Sequence, residues 1–177
     1  RALFKDGEYE PAREQTDTLL RQLQSFYKNL NREQQLVNVL KDQIQESLAK
    51  AEENQARTWA LESLRKAEDL FEQGKAAYDD YELDESISLL KEARNQAGLT
   101  IELASERIAT FNWYKSRFET YQKQLQELEA PQFRPQETSR LWDQYNTYRT
   151  ALERRRYDEA EAQAKELLED LRSFYEE

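Results

Sequence analysis

The chain has no cysteine, no histidine and no methionine, and only three glycines and three prolines among 177 residues. Without cysteine and histidine there can be no disulfide, thiol nucleophile, Cys/His metal site, imidazole acid-base chemistry or Ser-His-Asp triad. We therefore expect no enzyme, and no catalytic, cofactor-binding or metal-ligating residues. Gly7, Gly74 and Gly98 are isolated in helical pattern, so no phosphate-cradling loop exists. No apolar run approaches the roughly 20 residues of a membrane span, and nothing at the start reads as an export leader. A cysteine-free chain suits an oxidising compartment, which points to the periplasm or envelope rather than the cytoplasm. A chain that lacks methionine and begins at Arg1 is expected to be cut from something longer.

What is abundant is helix-forming. Leu, Ala, Glu, Gln, Lys and Arg dominate, and the 38% hydrophobic share is spaced at three and four, as in helices with one wet face. Charged residues make up 35% of the chain, with a net charge of −10 that opposes a phosphate backbone, so nucleic acid is excluded as a partner. Neighbouring carboxylates such as Glu52-Glu53, Asp79-Asp80 and Glu176-Glu177 point away from one another on a helix and read as solvated faces rather than a cation site.

The chain repeats. Offset by 148 residues, Arg1 to Tyr27 matches Arg149 to Tyr175 at 10 of 27 positions, most densely where LLRQLQSFY (Leu19 to Tyr27) lies over LLEDLRSFY (Leu167 to Tyr175). Half that offset, 74, places Ala2 on Ala76, Asp6 on Asp80, Ala77 on Ala151 and Asp84-Glu85 on Asp158-Glu159. The copies cover about 1–58 (partial), 59–132 and 133–177 (partial), as one helical-repeat domain over 1–177. Because both ends interrupt a copy, the natural protein is expected to continue on at least one side.

Each copy centres on a helical hairpin, marked by GEYEPA at Gly7, YELDES at Tyr81 and RRYDEA at Arg155. Acidic residues follow the turn, where they complement the helix dipole, and Pro11 stands where its missing N–H costs nothing. A small residue, Ala12, Ser86 or Ala160, is then expected at the tight contact inside the hairpin. This element resembles the tetratricopeptide repeat, with Leu70, Gly74 and Ala77 on its first helix and Leu83, Ser86, Leu90 and Ala93 past the turn; Tyr9 with Ala12 and Tyr157 with Ala160 match it in the outer copies. The resemblance implies antiparallel hairpins stacked in a solenoid that binds other proteins. Here the period is 74 where that family keeps about 34, and Gly98 and Arg172 stand where it closes with proline.

The longer period is explained by the second helix. From Ser86 the apolar positions run on through Ala97, Ile108, Phe118 and Leu128 in steps of three and four, so one long, coiled-coil-like helix is expected. We expect helices from about Glu10 to Glu53, Trp59 to Asp80, Leu83 to Leu128, Pro135 to Arg155 and Asp158 to the end, after a stub before Gly7. Asn29 to Asn31 and Gly98 are candidate interruptions, but they do not fall at equivalent repeat positions. The breaks near Asn54 to Thr58 and at Glu129 to Pro135 do align, with Trp59 on Phe133, and two prolines within five residues are expected to exclude helix from the second. The fold class is thus all-α, antiparallel hairpins in a short TPR-like solenoid with long helices.

The aromatics are the candidates for function. Phe111, Tyr114, Phe118 and Tyr121 form a stripe beside Trp113, and Phe133, Trp142, Tyr145 and Tyr148 lie where the next helix folds back. They either fill the seam between helices or line a groove for a peptide or glycan. Residues 103 to 156 carry 10 basic and 7 acidic side chains in an otherwise acidic chain, and end in Arg154, Arg155 and Arg156. That run terminates a helix, yet three consecutive arginines fan around the axis and exceed what the dipole asks. The expected partner-binding residues are Trp113, Tyr114, Phe133, Trp142, Tyr145, Arg154, Arg155 and Arg156, on a non-catalytic scaffold that holds a protein partner or other domains of its own chain. The alternatives are a spacer between domains of a bacterial envelope protein, or a cell-wall glycan binder.

Overall fold

A computed structural model describes residues 9–176. The stub before Gly7, the turn residues Gly7 and Glu8, and Glu177 lie outside the described residues. Among those described, every element is a helix and there is no strand: α1 Tyr9–Glu53, α2 Ala56–Trp59, α3 Leu61–Asp79, α4 Leu83–Glu127, α5 Ala130–Phe133, α6 Pro135–Glu153 and α7 Tyr157–Glu176. No helix among the described residues is long and apolar enough to cross a membrane.

Both long helices, of 45 residues each, are continuous. Asn29 to Asn31 fall inside α1 and Gly98 inside α4. A glycine in a helix interior costs only about 1 kcal/mol relative to alanine, too little to break so long a helix against its packing. The Glu129 to Pro135 stretch differs from expectation. It holds a one-turn helix, because Pro131 and Pro135 both sit in first-turn positions, where a backbone N–H has no intrahelical partner to lose. The equivalent turn α2 precedes α3, so the helix expected from Trp59 begins only at Leu61.

The 74-residue period governs the backbone throughout. Adding 74 to the bounds of α1, α2 and α3 gives those of α4, α5 and α6, and the start of α4 becomes the start of α7. The left-handed residues obey it too: Gln55 (φ 57°) pairs with Glu129 (52°), and Tyr81 (65°) with Arg155 (58°). At each hairpin turn the chain reverses through a Schellman pair of hydrogen bonds. Glu82 N–H donates to Ala77 O (2.8 Å) and Tyr81 N–H to Tyr78 O (3.1 Å); Arg156 N–H donates to Ala151 O (2.9 Å) and Arg155 N–H to Leu152 O (3.0 Å).

Two compact units result, one from the described residues through Ala51 with Glu62–Leu99, the other from Glu52–Leu61 with the residues from Thr100 onward. Each has its own core. In the first, Val37, Leu40 and Ile44 of α1 pack with Leu70 and Phe71 of α3 and Leu90 and Ala93 of α4. In the second, the equivalent positions hold Phe111, Tyr114 and Phe118 of α4, Tyr145 of α6, and Ala164 and Leu167 of α7. An aliphatic seam in one unit is an aromatic seam in the other.

Bulk is exchanged across the hairpin to make room. In the first unit Gly74 faces Leu90, so closely that a Cβ on Gly74 would stand 2.8 Å from the Leu90 side chain. In the second the same two positions hold Tyr148 and Ala164, both buried, with the large residue now on the first helix. Ser86 and Ala160 are fully buried at the tight contact, and Ser86 Oγ donates to Gly74 O at 2.8 Å. Ala12 is buried as well.

Candidate functional site

The second unit concentrates the aromatics. Phe111, Tyr114 and Phe118 follow one another on α4 at steps of three and four; Phe111 meets Tyr114 at 6.2 Å and Tyr114 stacks on Phe118 at 6.2 Å between ring centroids. Phe118 is met edge-on by Tyr148 (5.1 Å) and Tyr145 (5.7 Å) of α6. Such pairs contribute about 0.5–1.5 kcal/mol each beyond burial, so the stripe is first of all a core. Tyr114, expected on a partner surface, is 4% exposed and belongs to that core. Burial pushes the Tyr148 phenol up to about 12, with Tyr145 and then Tyr114 adding to the effect.

Trp59 extends the cluster. It stacks on Phe111 at 5.6 Å and lies 5.3 Å from Tyr157, half-buried. The three carbonyls that end α2 are capped by side chains of the same unit: Arg155 Nη1 donates to Arg57 O (3.1 Å), the Tyr157 hydroxyl to Thr58 O, and Arg107 Nη1 to Trp59 O (2.6 Å). These are groups a helix C-terminus otherwise leaves unpartnered, and cations suit them. The Arg107 guanidinium also lies 4.6 Å from the Tyr157 ring. Phe133, the counterpart of Trp59, is 75% exposed.

Of the three arginines, Arg155 caps α2 from a left-handed backbone, and Arg156 pairs with Glu159 at 2.7 Å. Arg154 is exposed and makes no ion pair or side-chain hydrogen bond among the described residues. Trp113 is 50% exposed, with the Arg117 guanidinium 5.4 Å from its ring. Trp142 meets Tyr145 edge-on at 5.9 Å and lines a narrow cleft of about 30 Å³ that holds no more than a water or two.

The larger opening lies between α4 and α6. Trp59, Phe111, Phe118, Tyr145, Tyr148 and Leu152 wall a groove of about 320 Å³, and Asn112, Lys115 and Arg149 supply its polar groups. Lys115 stands one turn beyond Phe111 and Arg149 one turn beyond Tyr145, so each cation rides the edge of an aromatic wall. Their ion pairs, Lys115 with Glu119 at 3.9 Å and Arg149 with Glu153 at 3.2 Å, are exposed i,i+4 contacts that hold the side chains weakly. The groove thus offers an apolar floor and two cations free to exchange partners. Of the residues expected at a binding face, only Tyr145 lines it; Trp59, Lys115 and Arg149 complete it. No family model, curated protein or solved structure matches the chain.

Proposed function

We propose that the chain is a non-catalytic scaffold, built of TPR-like helical hairpins, that holds a protein partner. The groove between α4 and α6 carries this reading: five aromatic walls with Lys115 and Arg149 at the edge. Aromatic side chains in a concave site, with few and well-placed charges, are what peptide recognition draws on. The ligand that fits best is a peptide side chain with an apolar body and a carboxylate at its tip or beside it. The charge favours protein over a neutral glycan, since two cations would go unanswered by sugar hydroxyls.

The test is partner capture with Lys115→Glu/Arg149→Glu. Both side chains are exposed, so melting should stay close to that of the parent while capture falls and loses its salt dependence. Capture equal to the parent at low and high salt would remove the groove from the account.

A further inference from the structure

The two complete copies differ almost everywhere in sequence. Laid over one another at the 74-residue offset, Tyr9 to Asp79 and Leu83 to Glu153 are identical at seven of 71 positions. The packing side chains are exchanged wholesale, with Val37, Ile44 and Gly74 becoming Phe111, Phe118 and Tyr148. The polar groups of the aromatic groove are kept. Asn112 and Lys115 are two of the seven identities, with Asn38 and Lys41 in the first unit, and Arg149 keeps its charge as Lys75.

The fold does not ask for this retention. Positions 38 and 112 are exposed, where substitutions ordinarily cost little, and asparagine is a poorer helix former than the residues around it. Neither packing nor propensity therefore holds it in place, whereas a ligand common to both faces would.

The first unit also supplies aromatic rings beside its cations. Phe71 stands at the position of Tyr145 and Tyr78 at that of Leu152. Lys41 Nζ lies 4.1 Å from the centre of the Tyr78 ring, and Lys75 Nζ 5.3 Å from that of Phe71. Lys41 forms no ion pair among the described residues, and Lys75 pairs with the exposed Glu72 at 2.9 Å. Contacts of these exposed kinds hold a lysine weakly, and an ammonium resting on a ring keeps donors for an anion. In the second unit the groove is open although α2 is packed at its edge through Trp59, so the helical turn that precedes a copy leaves this face clear.

We propose that the first unit carries a second binding site, formed by Asn38, Lys41, Phe71, Lys75 and Tyr78 between α1 and α3, and that its ligand is an acidic peptide segment. Carboxylates answer the two lysines, the asparagine amide donates to the peptide, and an apolar side chain between the carboxylates lies against Tyr78. The site takes its ligand class from the groove proposed above but shares no residue with it.

The asparagines are the reporters. The probes are the acetylated, amidated tripeptides Glu-Phe-Glu and Gln-Phe-Gln, titrated into the labelled chain while the side-chain amide signals of Asn38 and Asn112 are followed by NMR. Glu-Phe-Glu should shift both signals. Lys41→Gln/Lys75→Gln should abolish the shift at Asn38 and leave that at Asn112, with the backbone spectrum away from the substitutions unchanged. Gln-Phe-Gln, a measurement that needs no variant, should shift neither. A shift at Asn112 without one at Asn38 would overturn the second site and leave the groove standing, and a shift at Asn38 alone would do the reverse. Silence at both would remove both sites. An Asn38 shift that survives the loss of the lysines, or that the neutral peptide matches, would overturn the assigned ligand chemistry.

Discussion

The exchange of bulk across the hairpin makes one substitution act with opposite signs at two glycines. Gly98 lies in α4 with open space around it, and a Cβ there would meet no atom within 4 Å. Alanine at 98 should therefore stabilise by about 0.5–1 kcal/mol, through helix propensity and a less flexible unfolded chain. At Gly74 the same gain is opposed. The new Cβ would stand 2.8 Å from Leu90 Cγ and Cδ2 and 3.3 Å from the Leu90 backbone nitrogen, and Leu90 is fully buried with nowhere to turn. Overpacking of this kind costs about 1–3 kcal/mol, so Gly74→Ala should be neutral to about 2 kcal/mol destabilising. The cycle is closed by Leu90→Ala, which alone should cost about 2–5 kcal/mol. In that background Gly74→Ala should stabilise, because the obstruction is gone and the methyl fills part of the cavity. Chemical denaturation of the four variants reads the coupling, expected at about 1–2 kcal/mol in favour of the double variant. Additive effects, or a Gly74→Ala as stabilising as Gly98→Ala, would refute the close contact on which the exchange of bulk rests.

Ala160→Leu puts bulk into the fully buried contact of the second hairpin and should lower stability by about 1–3 kcal/mol; a melting temperature equal to the parent's would contradict that placement. Hydrogen bonds from Gln144 and from Arg140 hold the Asp170 carboxyl below the ordinary carboxylate range, so its contribution is present above that range and is lost as pH falls through the folded-state value. Melting curves of Asp170→Asn and parent should therefore differ at neutral pH and converge in acid; a constant gap would place the effect elsewhere. Tyr148, raised by burial from near 10 to about 12, contributes stability below pH 10 that is lost as pH rises through 12. Tyr148→Phe should accordingly gain on the parent between pH 10 and 12, and parallel melting curves across that window would deny the buried phenol.

The frame was legible because helix boundaries follow from spacing and the repeat fixes their register. Leu83 as the start of α4 and Pro135 as the start of α6 could be read from acidic first turns and from proline, and the continuity of α1 and α4 from unbroken apolar steps. The one-turn helices were hidden, because two prolines four residues apart look like a break unless each is recognised as a first-turn residue. The left-handed positions were hidden too. Gln55, Tyr81, Glu129 and Arg155 carry no glycine or asparagine to announce a positive φ, and only the hydrogen bonds of the turn select it.

The site was less legible than the fold. An aromatic stripe at helical spacing does not say which rings face inward, and Tyr114 went to the core while Trp59, 55 positions earlier, came to line the groove. The alignment of Trp59 with Phe133 held a usable signal, since an aromatic recurs at that position in both copies, and Trp59 meets Tyr157 there. The spacing of Phe111 to Lys115 and Tyr145 to Arg149 held another, as a cation one turn past an aromatic shares its face.

Backbone chemical shifts of the uniformly labelled chain test the 74-residue frame most directly, because they report φ residue by residue. Helical shifts are expected through Asn29 to Asn31 and Gly98, and left-handed shifts at the pairs Gln55/Glu129 and Tyr81/Arg155. A break inside α1 or α4, or a left-handed residue at one member of a pair without the other, would contradict it.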